Sequence, residues 1–131
     1  MVDPALSAIR AITVLIAEDE PDMRELLRLA LERDGRFQIV GEAEDGERAI
    51  QLAIQLTPDQ IVLDLRMPGI GGLEALPRIR SQLRHTQIVV YSAHVSELAR
   101  ITAMRLGAAG VLEKTTGPRA LVEALAELAG R

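Results

Sequence analysis

One lysine stands among the 131 residues, Lys114 in GVLEKTTGP, while the other 14 of the 15 basic residues are arginines. An ammonium is a compact, rotatable point charge and a guanidinium is a planar fork, so the two are not interchangeable at a crowded site. A lysine-poor composition explains the scarcity but not the position. Three further stretches carry residues of matching chemistry: Glu18 and Asp19 follow the apolar run ITVLIA, Asp64 lies within QIVLDL, and Ser92 closes QIVVYS. Taken singly, acids after an apolar run are ordinary solvated or helix-capping positions, and a serine there is an ordinary turn former. Asp64 resists that reading, because an unpaired charge in a buried run is costly. Three carboxylates held together repel and raise one another's pKa unless a cation sits among them. A hard divalent ion such as Mg2+ takes one or two carboxylates and a substrate phosphate, and Lys114 would add a second positive charge. Carboxylate, metal, ammonium and hydroxyl together are the parts for phosphoryl transfer to the carboxylate.

That chemistry requires elements that carry residues 18, 19, 64, 92 and 114 to one place. The chain alternates short β-branched runs with longer helical patterns, without an internal repeat. Strands are expected over 12–17, 37–43, 60–65, 87–92 and 110–114, each a short apolar run of the kind that a parallel strand buried on both faces shows. Helices are expected over 21–34, about 47–56, about 73–83, 96–106 and 118 to about 129. Pro21 lies near the first turn of the first helix, Gly35 stops it, Pro77 should bend the third, and Thr115 or Thr116 is a candidate cap of the last. In the fourth helix Leu98, Ile101, Met104 and Leu106 read mostly as a core-facing stripe. Five strand-then-helix units imply an α/β fold, a parallel sheet with helices on both faces. Ligands bind such sheets at the carboxyl ends of the strands. Glu18, Asp19, Asp64, Ser92 and Lys114 all stand at those ends.

Composition narrows the classes. The length suits one domain with its own core, and 48% hydrophobic residues fits that. With no cysteine there is neither a disulfide framework nor a thiolate nucleophile. The start MVDPALSAIRAI lacks a basic region leading into a long apolar stretch, and no apolar run approaches the roughly 20 residues of a membrane span, so a cytoplasmic protein without membrane contact is expected. A net charge of −4 argues against nucleic-acid binding by this domain, and aromatics at 2%, Phe37 and Tyr91 alone, leave almost nothing for base or flavin stacking.

VLIAEDEP, IVLDLRMPGIGGLE, VVYSA and GAAGVLEK, in this order and at these strand ends, resemble the motifs of the receiver domains of two-component response regulators. The resemblance covers residues 12–130 and implies a flavodoxin-like doubly wound sheet of order 2-1-3-4-5, with 1–11 as an N-terminal extension and 12–131 as the receiver. It implies that Asp64 accepts a phosphoryl group from a histidine of a partner sensor kinase in a Mg2+-dependent reaction. Asp19 would bind Mg2+ directly, Glu18 directly or through water, and the backbone carbonyl of Arg66 would complete the protein ligands. Ser92 and Lys114 would each hold a phosphoryl oxygen, and Ala93 would leave the pocket open. Arg66 and His94 occupy positions that tune phosphate lifetime in this family, although His94 reads equally well as an ordinary loop residue. Such a domain catalyses only its own phosphorylation and dephosphorylation. Two departures stand out. Val111 occupies the position, three before the lysine, where the family usually has Tyr or Phe. Alternation points Tyr91 away from the Ser92 side, so it is no obvious replacement. Thr115, not the frequent proline, follows Lys114, so a cis peptide there is not expected.

Rival readings are weaker. A haloacid-dehalogenase-like phosphatase wants a second Asp two residues after the nucleophile, where this chain has Arg66. A flavodoxin-type cofactor binder needs a phosphate loop where EDEPD is acidic. A receiver serving only as a protein-binding or dimerisation module finds support in Val111 alone. Signalling is expected to leave through the fourth helix, fifth strand and fifth helix as homodimerisation or docking of an output domain, and VGEAEDGERAIQLA resembles receivers attached to helix-turn-helix transcription factors.

Overall fold

The computed structural model describes residues 10–131. The expected extension over 1–11 therefore lies, for residues 1–9, outside the described residues.

Five parallel strands, β1 (Ile12–Ala17), β2 (Phe37–Ala43), β3 (Gln60–Leu63), β4 (Gln87–Ser92) and β5 (Gly110–Glu113), form one sheet of order β2-β1-β3-β4-β5. The flavodoxin-like order is thus as expected. Between and after them run α1 (Pro21–Asp34), α2 (Gly46–Leu56), α3 (Gly72–Gln82), α4 (Glu97–Arg105) and α5 (Pro118–Ala129). Because a strand sends successive side chains to opposite faces, β1 divides its apolar run between two cores. Val14 and Ile16 pack with Leu27 and Leu31 of α1 and Leu121 and Leu125 of α5. Leu15 and Ala17 pack with Leu52 of α2, Leu76 and Ile79 of α3 and Ala103 of α4. Both faces are covered, which is why the strand sequences read as continuous apolar runs rather than alternations.

Local chemistry sets the ends. Gly35, at φ 90°, closes α1 in the left-handed conformation a glycine adopts without a Cβ penalty. The Asp45 side chain accepts from Arg48 N–H at the start of α2, and Ser96 does the same for Ala99 N–H at α4. Helix α3 runs through Pro77. Three expectations need correction. β3 ends at Leu63 and β5 at Glu113, so Asp64 and Lys114 stand just past the strands, Lys114 opening a single 3-10 turn over Lys114–Thr116. Neither threonine caps α5: its N-cap is Gly117, and Thr116 Oγ1 donates instead to Glu113 O at 2.7 Å. Leu98, Ile101 and Met104 do not face the core; they are 74%, 41% and 47% exposed, and α4 rests on the sheet through Ala103 with Leu106 beside it. Among the described residues no helix is long and apolar enough to cross a membrane.

Candidate functional site

The carboxyl edge of the sheet collects the candidate residues. Asp64 N–H still donates to Ala17 O at 3.0 Å, which carries the alignment of β3 with β1 one residue past the strand. The loop beyond it is pressed down by α3, whose first residue Gly72 donates its N–H to Leu65 O at 2.9 Å. A Cβ on Gly72 would stand 2.3 Å from Asp64 O, so only glycine allows this approach.

Asp64 is 4% exposed, and both of its carboxylate oxygens are held. Oδ1 accepts from Ser92 Oγ at 2.7 Å and from Arg66 N–H at 3.1 Å. Oδ2 accepts from Lys114 Nζ at 2.9 Å. The same ammonium stands 2.5 Å from Glu18 Oε1, while Glu18 Oε2 accepts Glu20 N–H at 3.1 Å. One carboxylate oxygen from each of Glu18, Asp19 and Asp64 lies within 4.8 Å of the others.

Electrostatics follows from this crowding. Burial pushes the Glu18 carboxyl up from 4.5 to about 7, against the Lys114 and Glu20 hydrogen bonds that favour its charge, and the Asp64 charge adds to the rise. For Lys114 burial disfavours the ammonium, but hydrogen bonds to Glu18 and Asp64 and their charges outweigh it and hold its pKa above that of an ordinary lysine. The donor set suits a hard divalent cation: three carboxylates converge, and among the described residues Glu18 Oε1 meets only the Lys114 ammonium.

The sequence profile of the response regulator receiver domain matches residues 14–126. The chain belongs to that family. This receiver is 39% identical over 117 residues to the nitrate/nitrite response regulator protein NarL of Escherichia coli K12, covering 89% of this chain and 54% of that one. It is 39% identical over 109 residues to a protein-glutamate methylesterase/protein-glutamine glutaminase of Myxococcus xanthus, covering 82% and 31%. The solved receiver domain of the putative response regulator NarL from Mycobacterium tuberculosis superposes with a TM-score of 0.87 at 34% identity, covering 92% of this receiver and 98% of that chain. The receiver spans about half the length of NarL and less of the methylesterase.

Of the candidate residues, Glu18, Asp19, Asp64, Ser92 and Lys114 are brought together, and Arg66 joins through its backbone while the residue itself is exposed. Ala93 and His94 are exposed at the exit of β4. Val111 is half-buried against the α2, α3 and α4 side, and its carbonyl accepts Arg100 Nη1 at 2.9 Å. One contributor escaped the sequence: Arg24 Nη1 donates to Glu18 O at 2.8 Å and fixes the acidic loop. Its only trace is an arginine one turn into the helix that follows the acids.

Proposed function

We propose that this receiver takes a phosphoryl group from a phosphohistidine of a partner kinase onto Asp64. The P–N bond to the imidazole breaks as a P–O bond to the Asp64 carboxylate forms, and the imidazole departs with the bonding pair. The observation that supports this most directly is the pair of donors already on the acceptor: Ser92 Oγ at 2.7 Å and Lys114 Nζ at 2.9 Å occupy different oxygens of one carboxylate. Each can pass to an oxygen of the incoming group without leaving the site, which is positioning plus charge neutralisation. Glu18, Asp19, Asp64 and the Arg66 carbonyl would hold Mg2+, which supplies neutralisation of the phosphoryl charge when bound. The unit that does this is residues 12–131, working in the cytoplasm, and similarity to the transcriptional regulatory protein YdfI of Bacillus subtilis favours a transcriptional output.

The test is intact mass after treatment with acetyl phosphate and Mg2+. One phosphate is expected on the protein and none on Asp64→Asn. A receiver that only binds partners, the reading Val111 favours, adds no phosphate or adds as much to the variant.

A further inference from the structure

Among the described residues Gln60 Oε1 and Tyr91 Oη are buried without a hydrogen-bond partner, and Glu18 Oε1 meets only the Lys114 ammonium. Gln60 belongs to the opposite edge of the sheet, at the start of β3. The other two stand toward the carboxyl end of the sheet, Tyr91 one residue before the end of β4 and Glu18 one residue past β1. Tyr91 lies on the α1 and α5 side of β4 with Ile16, Val62 and Leu112. Its strand partner is Leu112, and Lys114 follows Leu112 by two residues, as Glu18 follows Ile16 by two. Glu18 and Lys114 thus leave β1 and β5 one residue past their ends, close behind the residues that share the Tyr91 face of the sheet. The phenol is 1% exposed. Burial raises its pKa, and the charges of Lys114 and Glu18 both act on it, which places it within their field.

A buried hydroxyl without an acceptor is costly, as is a buried carboxylate oxygen whose ammonium has left it, and each could then satisfy the other. For now Lys114 fills that place on Glu18, its ammonium holding Glu18 Oε1 and Asp64 Oδ2 together. We propose that Tyr91 is a positioning residue that serves as the second partner of Glu18: when Lys114 turns to a phosphoryl oxygen on Asp64, the Tyr91 hydroxyl donates to Glu18 Oε1 in its place. This rests on the phosphoryl acceptance by Asp64 proposed above. The hydroxyl thereby lowers the cost of releasing the ammonium from Glu18. It acts from the strand that carries Ser92, on the face away from Val111.

The chain contains one tyrosine and no tryptophan, so its intrinsic emission reports on this hydroxyl alone. A phenol that donates to a carboxylate loses emission. With Mg2+ present throughout, acetyl phosphate is expected to add phosphate to the wild type and lower its tyrosine emission, with no drop for Asp64→Asn. Tyr91→Phe keeps the ring and removes the hydroxyl; it is expected to take up phosphate roughly fivefold more slowly, the worth of one ordinary hydrogen bond. Its unphosphorylated stability should be undiminished, because the lost group had no partner; a tyrosine needed only for structure would show the reverse. Phosphate gained with emission unchanged, or Tyr91→Phe equal to wild type in rate, overturns the role of Tyr91 and leaves Asp64 as acceptor. No phosphate gained by the wild type overturns both.

Discussion

A carboxylate sealed beside two other acids must be neutralised by a proton, an ammonium or a metal, and Glu18 has access to all three. Its pKa of about 7 against an ordinary 4.5 means that the folded protein binds the proton more tightly than the unfolded chain does. The stability this contributes is complete below 4.5 and is lost as pH rises through about 7. Glu18→Gln, which cannot ionise, should thus match the metal-free wild type near about pH 5 and exceed it near about pH 8 by on the order of 2 kcal/mol. Urea unfolding at the two pH values measures the gap, and a gap that is constant or that shrinks with pH refutes the assignment. Millimolar Mg2+ should close the gap at the higher pH by stabilising the wild type alone, since a ligand that binds only the folded form raises its stability. The same crowding explains the lone lysine. One ammonium reaches Glu18 and Asp64 from a side chain that is itself 13% exposed, and a planar fork has no comparable way to sit between two such close carboxylates.

At the scale of elements, the site depends on how closely α3 approaches the loop that begins at Asp64. Gly72→Ala puts a Cβ 2.3 Å from Asp64 O, where the obstacle is backbone and cannot rotate away. A cost of about 1–3 kcal/mol is expected, together with slower phosphate uptake, because the shift falls on Asp64 itself. Gly110→Ala in β5 is the control: its Cβ meets nothing within 4 Å, and its urea midpoint should barely move. Equal midpoints for the two variants would show that the close approach carries no strain. Such contacts are invisible in the sequence, whereas the strands are not. ITVLIA, QIVLDL and QIVVYS are legible because burial on both faces leaves no alternation to misread. The exits of those strands follow at once, and with them the grouping of residues 18, 64 and 92, to which GVLEK adds 114. Helix α4 was misread for a definite reason. It carries apolar residues all round, so periodicity cannot say whether Leu98, Ile101 and Met104 or the smaller Ala103 and Leu106 face inward. The cap of α5 failed similarly, since Thr115 and Thr116 have the right chemistry but the 3-10 turn after β5 uses the second of them. The Arg24 contact to Glu18 O spans a loop whose path no local rule specifies.

At the scale of the whole molecule, the misread helix bears on output. Leu98, Ile101 and Met104 make an exposed apolar row on an element joined to the site at two points. Its leading loop begins at Ser92, which touches Asp64, and Arg100 fastens the helix to the Val111 carbonyl on the strand that delivers Lys114. A phosphoryl group that draws Ser92 and Lys114 toward itself pulls on both attachments, and a shift of that row is the expected consequence. The receiver is about half of its NarL-like relatives, so the row has two natural occupants, a second receiver or an output domain. For the receiver alone only the first is available. Phosphorylation is expected to favour a homodimer across α4, β5 and α5, and Leu98→Asp should abolish it by placing a charge in the contact, with phosphate uptake unchanged because residue 98 lies outside the acceptor site. Sedimentation of wild type and variant, each with and without acetyl phosphate, distinguishes the cases. A mass that doubles only for the phosphorylated wild type supports the dimer; a mass that never changes assigns the row to a different protein segment.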